Sequence, residues 1–145
     1  MAKRDKNTKL SSSPSSRKHT RIPPPSADSQ YPLWAFRGFD NDGDWCWSTV
    51  CGPDAASFLQ RLRDYEGMTW AQIKRASHCH FVEPSEIIRR AQKRLVALGK
   101  QETNSLFSMS VAGKPRIWGI LREHVMFALW WDPNHEIWPS QKKHT

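Results

Sequence analysis

Lys114-Pro-Arg-Ile-Trp-Gly-Ile-Leu-Arg-Glu-His-Val-Met-Phe-Ala-Leu-Trp-Trp-Asp-Pro-Asn-His-Glu-Ile-Trp-Pro139 decides how the chain is read. Two apolar, aromatic-rich runs flank the polar residues Arg122, Glu123 and His124, which is the pattern of a β-hairpin with a short loop. Polar groups stand at the outer ends of both runs: Lys114 and Arg116 before the first, Asp132, Asn134, His135 and Glu136 after the second. Antiparallel pairing lays those two ends side by side. Cations and an imidazole then converge at one edge of a sheet, which makes this edge the candidate chemical site.

Working outward, Leu106–Val111 alternates and is predicted as a strand leading through Gly113 into the hairpin. These three strands, joined by short turns, are expected to form an antiparallel meander. The middle of the chain is helical. A first helix is predicted from an Asp54 N-cap, with Ala55, Phe58, Leu59, Leu62 and Tyr65 as one buried stripe and Gly67 as the stop. Thr69 and Gln72 form a capping box that opens a short second helix, with Met68 and Ile73 as its hydrophobic staple and His78 and His80 at its end. A third helix is predicted from about Glu83, buried along Ile87, Ile88, Ala91, Leu95 and Leu98 and closed by Gly99. Leu33–Gly38 is predicted as an initial strand, and Trp45–Val50 as a short strand or loop. The order of strand, two to three helices and three strands gives an α+β domain over residues 31–145.

Residues 1–30 carry seven serines and four prolines with few apolar side chains, too little apolar surface to offset ordering entropy. They are expected to form a disordered basic tail. Seven Lys and Arg against Asp5 and Asp28 give this tail +5 of the chain's +8, leaving +3 for the rest. Such an arm suits nucleic-acid phosphates or an acidic partner, or serves only as a solubilising extension. The absence of an 18-residue apolar run and of a hydrophobic signal core predicts no membrane partner. Three cysteines, Cys46, Cys51 and Cys79, are an odd number suited to a reducing, cytoplasmic compartment.

Arg116 opening the penultimate strand, the apolar last strand Met126-Phe-Ala-Leu-Trp130 and the following His135 resemble the RelE/ParE-like toxin superfamily. Met68-Thr-Trp-Ala-Gln-Ile73 and Trp130-Trp-Asp-Pro-Asn-His-Glu136 also resemble an uncharacterised bacterial and phage branch with that fold. The resemblance implies a RelE-like toxin of a toxin–antitoxin system, a metal-independent endoribonuclease acting on ribosome-bound messenger RNA, with a small antitoxin protein as partner. Only Lys114, Arg116 and His135 map onto the family's catalytic cluster, and Asp40–Pro53 is an insertion.

That chemistry needs a base for the 2′-hydroxyl proton, positive charge for the phosphorane and an acid for the leaving oxygen. Arg116 suits bidentate phosphate binding, Lys114 a point charge and His135 acid–base work, with Asp132 or Glu136 orienting the imidazole. Trp131 or Trp138 would stack a base, Asn134 lies beside them, and Arg89, Arg90 and Lys93, with Arg94, form a basic helix face that would extend a phosphate track. The bland alternatives are an arginine paired to Asp132 or Glu136, core tryptophans and a solvated helix face. A non-catalytic RNA- or protein-binding module, or an inhibitor of a host or phage enzyme, stays open. Cys46, Cys51, His78, Cys79 and His80 are zinc-ligand types, but adjacent side chains point apart and Cys51 runs into Gly52-Pro53, so no metal or other cofactor is expected.

Overall fold

The structure is a computed structural model that describes residues 25–76 and 78–139. Residues 1–24 of the expected tail and the basic Lys142–Thr145 end lie outside the described residues. The elements are β1 (Leu33–Ala35), α1 (Pro53–Glu66), α2 (Trp70–Arg75), β2 (Cys79–Val82), α3 (Arg89–Ala97), β3 (Leu106–Ser110), β4 (Arg116–Arg122) and β5 (Val125–Asp132). They build one mixed sheet in the order β1-β5-β4-β3-β2. The α+β class expected from the sequence is therefore present, but on a larger sheet. β2 adds an antiparallel edge against β3, and β1 lies parallel to β5 at the other edge.

Period-2 alternation divides the side chains between two covered faces. Phe107, Met109, Ile117, Met126 and Trp131 pack under α1 and α2, against Phe58, Leu62, Tyr65, Trp70 and Ile73. Leu106, Trp118, Leu129 and Trp130 pack under α3, against Ala91 and Leu95, joined by Trp45 and Ile137. A register shift between Trp118 and Gly119 is absorbed by β5, so Leu129 and Trp130 both serve the α3 face. A Cβ at Gly119 would run into the Phe127 carbonyl and the Met126 side chain, so this bulge requires glycine.

Several local expectations change. Gly52, not Asp54, is the N-cap of α1, with Pro53 at its first position and Asp54 in its first turn. Leu59, read as part of the buried stripe, is 62% exposed. The capping box of Thr69 and Gln72 is present on α2. His78 and His80 do not end that helix, because Cys79–Val82 pairs with Leu106–Met109 as a strand. The third helix begins later than Glu83: Pro84–Glu86 is a 3-10 turn, Ile87 and Ile88 are extended, and the Ile88 N–H donates to the Ile137 carbonyl at 2.9 Å. The hairpin loop is tighter than expected, since Arg122 pairs with Val125 and only Glu123 (φ 55°) and His124 turn. Residues 26–30, expected in the tail, form a 3-10 turn tied to α2 by an Asp28–Lys74 pair at 2.5 Å and a Trp70 N–H to Gln30 carbonyl bond at 3.0 Å.

Asp40 holds these parts together. Its carboxylate is fully buried and accepts from Arg94 Nε (2.7 Å), Arg94 Nη2 (2.6 Å), Trp130 Nε1 (3.1 Å) and the Asp42 N–H (3.1 Å). Burial pushes its pKa up, but these donors and the Arg94 charge outweigh burial and hold it below the ordinary aspartate value. Stability from this group is therefore complete above the unfolded value of about 3.9 and is lost as pH falls through the lower folded value. Replacing Arg94 by alanine leaves a buried carboxylate without its counter-charge, though still bonded to Trp130 and the Asp42 N–H, and should cost about 3 kcal/mol in urea unfolding. The variant should also lose the acid-side fall in stability that Asp40 gives the wild type; an unchanged acid limb would contradict this role.

Candidate functional site

Arg116 follows a turn in which Ala112 (φ 42°) and Gly113 (φ 92°) are left-handed. Its Nη1 donates to the carbonyls of Gly113, Lys114 (3.0 Å) and Pro115 (3.0 Å), so the guanidinium closes the turn that precedes its own strand. It is 8% exposed, and no carboxylate among the described residues comes within ion-pair distance of it. Asp132 stands opposite Arg116 in the β4–β5 register but spends both carboxylate oxygens on backbone. They accept from the N–H groups of Glu136 and Ile137, each at 3.0 Å. This closes the Asp132-Pro-Asn-His turn with His135 left-handed at φ 54°. The chain then returns over the α3 face of the sheet, burying Ile137 and setting the Trp138 ring edge-on to His80, 5.3 Å between centroids.

These segments enclose a cavity of about 480 Å³ lined by His78, His80, Glu86, Ser108, Arg116, His135, Trp138 and Pro139. Arg116 and His135 thus line one cavity. Burial, then the Arg116 charge, hold the pKa of His135 below the ordinary histidine value; Asp132 opposes this, while His80 and Lys114 add to it. Burial also lowers the pKa of Arg116. The site therefore sets an imidazole that resists protonation beside a desolvated cation with no direct counter-ion among the described residues, an arrangement that favours an incoming anion.

The other expected residues are dispersed. Lys114 is exposed outside the cavity wall and reaches His135 only through its field. Asn134 is exposed on the turn. Trp131 is not a stacking platform: it is completely buried on the opposite face, edge-on to Phe58 at 5.3 Å, because β5 alternation turns it away from Arg116. Trp138 alone of the two tryptophans meets the cavity. Glu136 does not orient His135, since its Oε1 accepts from Trp45 Nε1 at 2.8 Å and pairs with Arg90 at 3.3 Å. Arg90 also pairs with Asp44 at 2.9 Å, Arg94 is committed to Asp40, and Lys93 borders a separate hollow with Asp44 and Trp45. Arg89 is exposed, so the continuous basic track expected on this helix is reduced to Arg89 and Lys93.

His78 and His80, expected at the end of the second helix, are wall residues instead, together with Ser108 and Glu86, which the sequence did not single out. Alternation across Cys79-His-Phe-Val82 was the available signal, and as a strand it separates Cys79, beside Tyr65 on the α1 face, from His80. Among the described residues no three His, Cys, Asp or Glu side chains converge as metal ligands, and no helix is long and apolar enough to cross a membrane.

Comparison with protein-family models, with curated proteins and with solved structures returns no match.

Because the folded pKa of His135 is depressed, its contribution to stability is complete above the unfolded value of about 6.5 and declines as pH falls. Ring NMR should find His135 titrating below that value. Arg116→Gln should move the titration up, by removing a neighbouring cation, and saturating inorganic phosphate should do the same in the wild type. A titration indifferent to both would dissolve the electrostatic link between the two groups.

Proposed function

We propose that this cavity binds an RNA phosphodiester and that the protein is a RelE-like, metal-independent endoribonuclease toxin held in check by a small antitoxin protein. The observation that carries the reading is the buried Arg116 charge, in contact with no carboxylate among the described residues and set beside an imidazole whose pKa is held down. A phosphate would supply the missing counter-charge through hydrogen bonds to the guanidinium. His135, lacking its proton at neutral pH, would take the proton of the ribose 2′-hydroxyl. The oxygen so activated attacks the adjacent phosphorus, and Arg116 stabilises the negative charge that builds there. Trp138 offers an aromatic face to a flanking base, and Lys114 adds positive potential at the entrance. The resemblance in the C-terminal hairpin agrees with this chemistry, and the site itself supports it through Arg116 and His135.

A non-catalytic partner-binding role for the opposite side of the molecule is favoured by a second observation. Phe36, Trp47 and Leu59 are 46%, 58% and 62% exposed around a separate apolar groove of about 560 Å³. Exposed apolar surface of this kind marks protein contacts. An antitoxin segment seated there would bind without filling the Arg116 cavity. Leu59→Lys should then release a co-expressed partner in pull-down and leave cleavage intact; loss of both together would mean the groove and the cavity are one site.

Induced expression should arrest bacterial growth, with primer extension on cellular transcripts revealing new 5′ ends. Arg116→Ala with His135→Ala should remove both effects, each change slowing cleavage by about 100-fold or more. Undiminished toxicity of a folded double variant would sink the assignment. RNA binding that weakens with salt but is never followed by cleavage would instead leave an RNA-binding module.

A further inference from the structure

Building on the ribonuclease reading, we infer that His80 is the second acid–base group of this centre, the imidazolium that protonates the departing 5′ oxygen. In-line displacement at phosphorus puts the attacking and leaving oxygens on opposite sides, so one side chain cannot serve both. Strand order separates two candidates in the required sense. The turn after β5 carries His135, β4 carries Arg116, β3 carries Ser108, and β2 carries His80 directly across from Ser108. With strands about 4.8 Å apart, β2 lies on the order of 10 Å from β4, so a phosphate held by Arg116 is approached from both flanks.

The other lining groups suit the task less well. Arg116 does not give up a proton in proteins, and a serine hydroxyl is a poor acid. Imidazole is the side chain built to exchange protons near neutrality. Of the two further histidines on the wall, His80 is the one carried by the strand and set edge-on to Trp138, while His78 precedes the strand. His80 is also exposed while lining the cavity, so solvent can return its proton.

The step balances without a metal or an oxidant. His135 takes the 2′-hydroxyl proton as the 2′ oxygen bonds to phosphorus; the phosphorus–5′ oxygen bond breaks, and that oxygen takes the proton carried by His80. The products are a 2′,3′-cyclic phosphate and a 5′-hydroxyl, and the two imidazoles regain their starting states through solvent.

The test uses the full chain and an oligoribonucleotide containing the step mapped by primer extension, offered on ribosomes. One version has the natural 5′ bridging oxygen and the other a bridging sulfur, whose thiolate leaves without a proton. His80→Ala should slow cleavage of the oxygen substrate by about 100-fold or more and cleave the sulfur substrate at the wild-type rate. His80→Phe, which keeps an aromatic ring against Trp138, should behave the same way. His135→Ala should stay slow on both substrates. Equal slowing of both substrates by the two His80 variants, or no slowing of either, would overturn the assignment while leaving the ribonuclease reading intact. A wild-type protein that cleaves neither substrate would remove that reading and the role of His80 with it.

Discussion

A single buried carboxylate, Asp40, sets the geometry on which the cavity depends. It joins three segments that have no continuous connection: the loop after β1, the bulged β5 through Trp130, and α3 through both ends of the Arg94 fork. Its backbone takes part as well, its N–H donating to the Leu129 carbonyl and its carbonyl accepting from Trp47. Ion pairs of this kind contribute little net stability compared with apolar packing, but they are costly to break and so tolerate few alternatives. Fixing α3 on the sheet fixes Ile88, whose N–H holds the Ile137 carbonyl. That bond seats the C-terminal segment, and with it the Trp138 wall of the cavity. Packing around Asp40 is thereby coupled to the shape of the site.

The site itself follows from how a second buried carboxylate is spent. Asp132 faces Arg116 across two paired strands, where an ordinary ion pair would be the simplest outcome. Instead its oxygens cap two backbone N–H groups and hold His135 in a left-handed conformation that a non-glycine residue adopts only under local constraint. Arg116 in turn satisfies part of its fork on three carbonyls of its own turn. Neutral acceptors meet its hydrogen-bonding needs without cancelling its charge. The field of that cation is therefore available to the cavity, where it adds to burial in holding the pKa of His135 down.

What the sequence made legible was local and periodic. The capping box at Thr69, the Gly99 stop (φ 71°) and the pairing of Arg116 with the segment around Asp132 could all be read from spacing and turn chemistry. β2 was hidden because four residues give too few alternations to outweigh a preceding helix, and its pairing with β3 spans the whole of α3. The late start of α3 was hidden for a related reason: Ile87 and Ile88 fit a helical stripe, but a long-range bond to Ile137 draws them into an extended path. Trp131 and Trp138 look equivalent in sequence, and only the sheet face, set by the Leu129 bulge and the turn after Asp132, separates a core residue from a wall residue. The basic helix face failed for an electrostatic reason, since its partners Asp40, Asp44 and Glu136 are distant in sequence.

The distribution of positive charge has a consequence for how an anionic polymer would meet the protein. The exposed cations Lys114, Arg89 and Lys93 act through water and are screened over about 10 Å at ordinary ionic strength. They would govern encounter with such a polymer, and salt would weaken them by counterion competition. The Arg116 charge is of another kind: nearly removed from solvent, it acts over a short range through a less polarisable medium and is screened far less. On the proposed function, affinity for a long strand and stabilisation of charge at one phosphate would therefore come from different residues. Net charge was a poor guide to the candidate site for the same reason: residues 1–30 carry +5 of the chain's +8, while the site turns on one arginine that pairs with no carboxylate among the described residues.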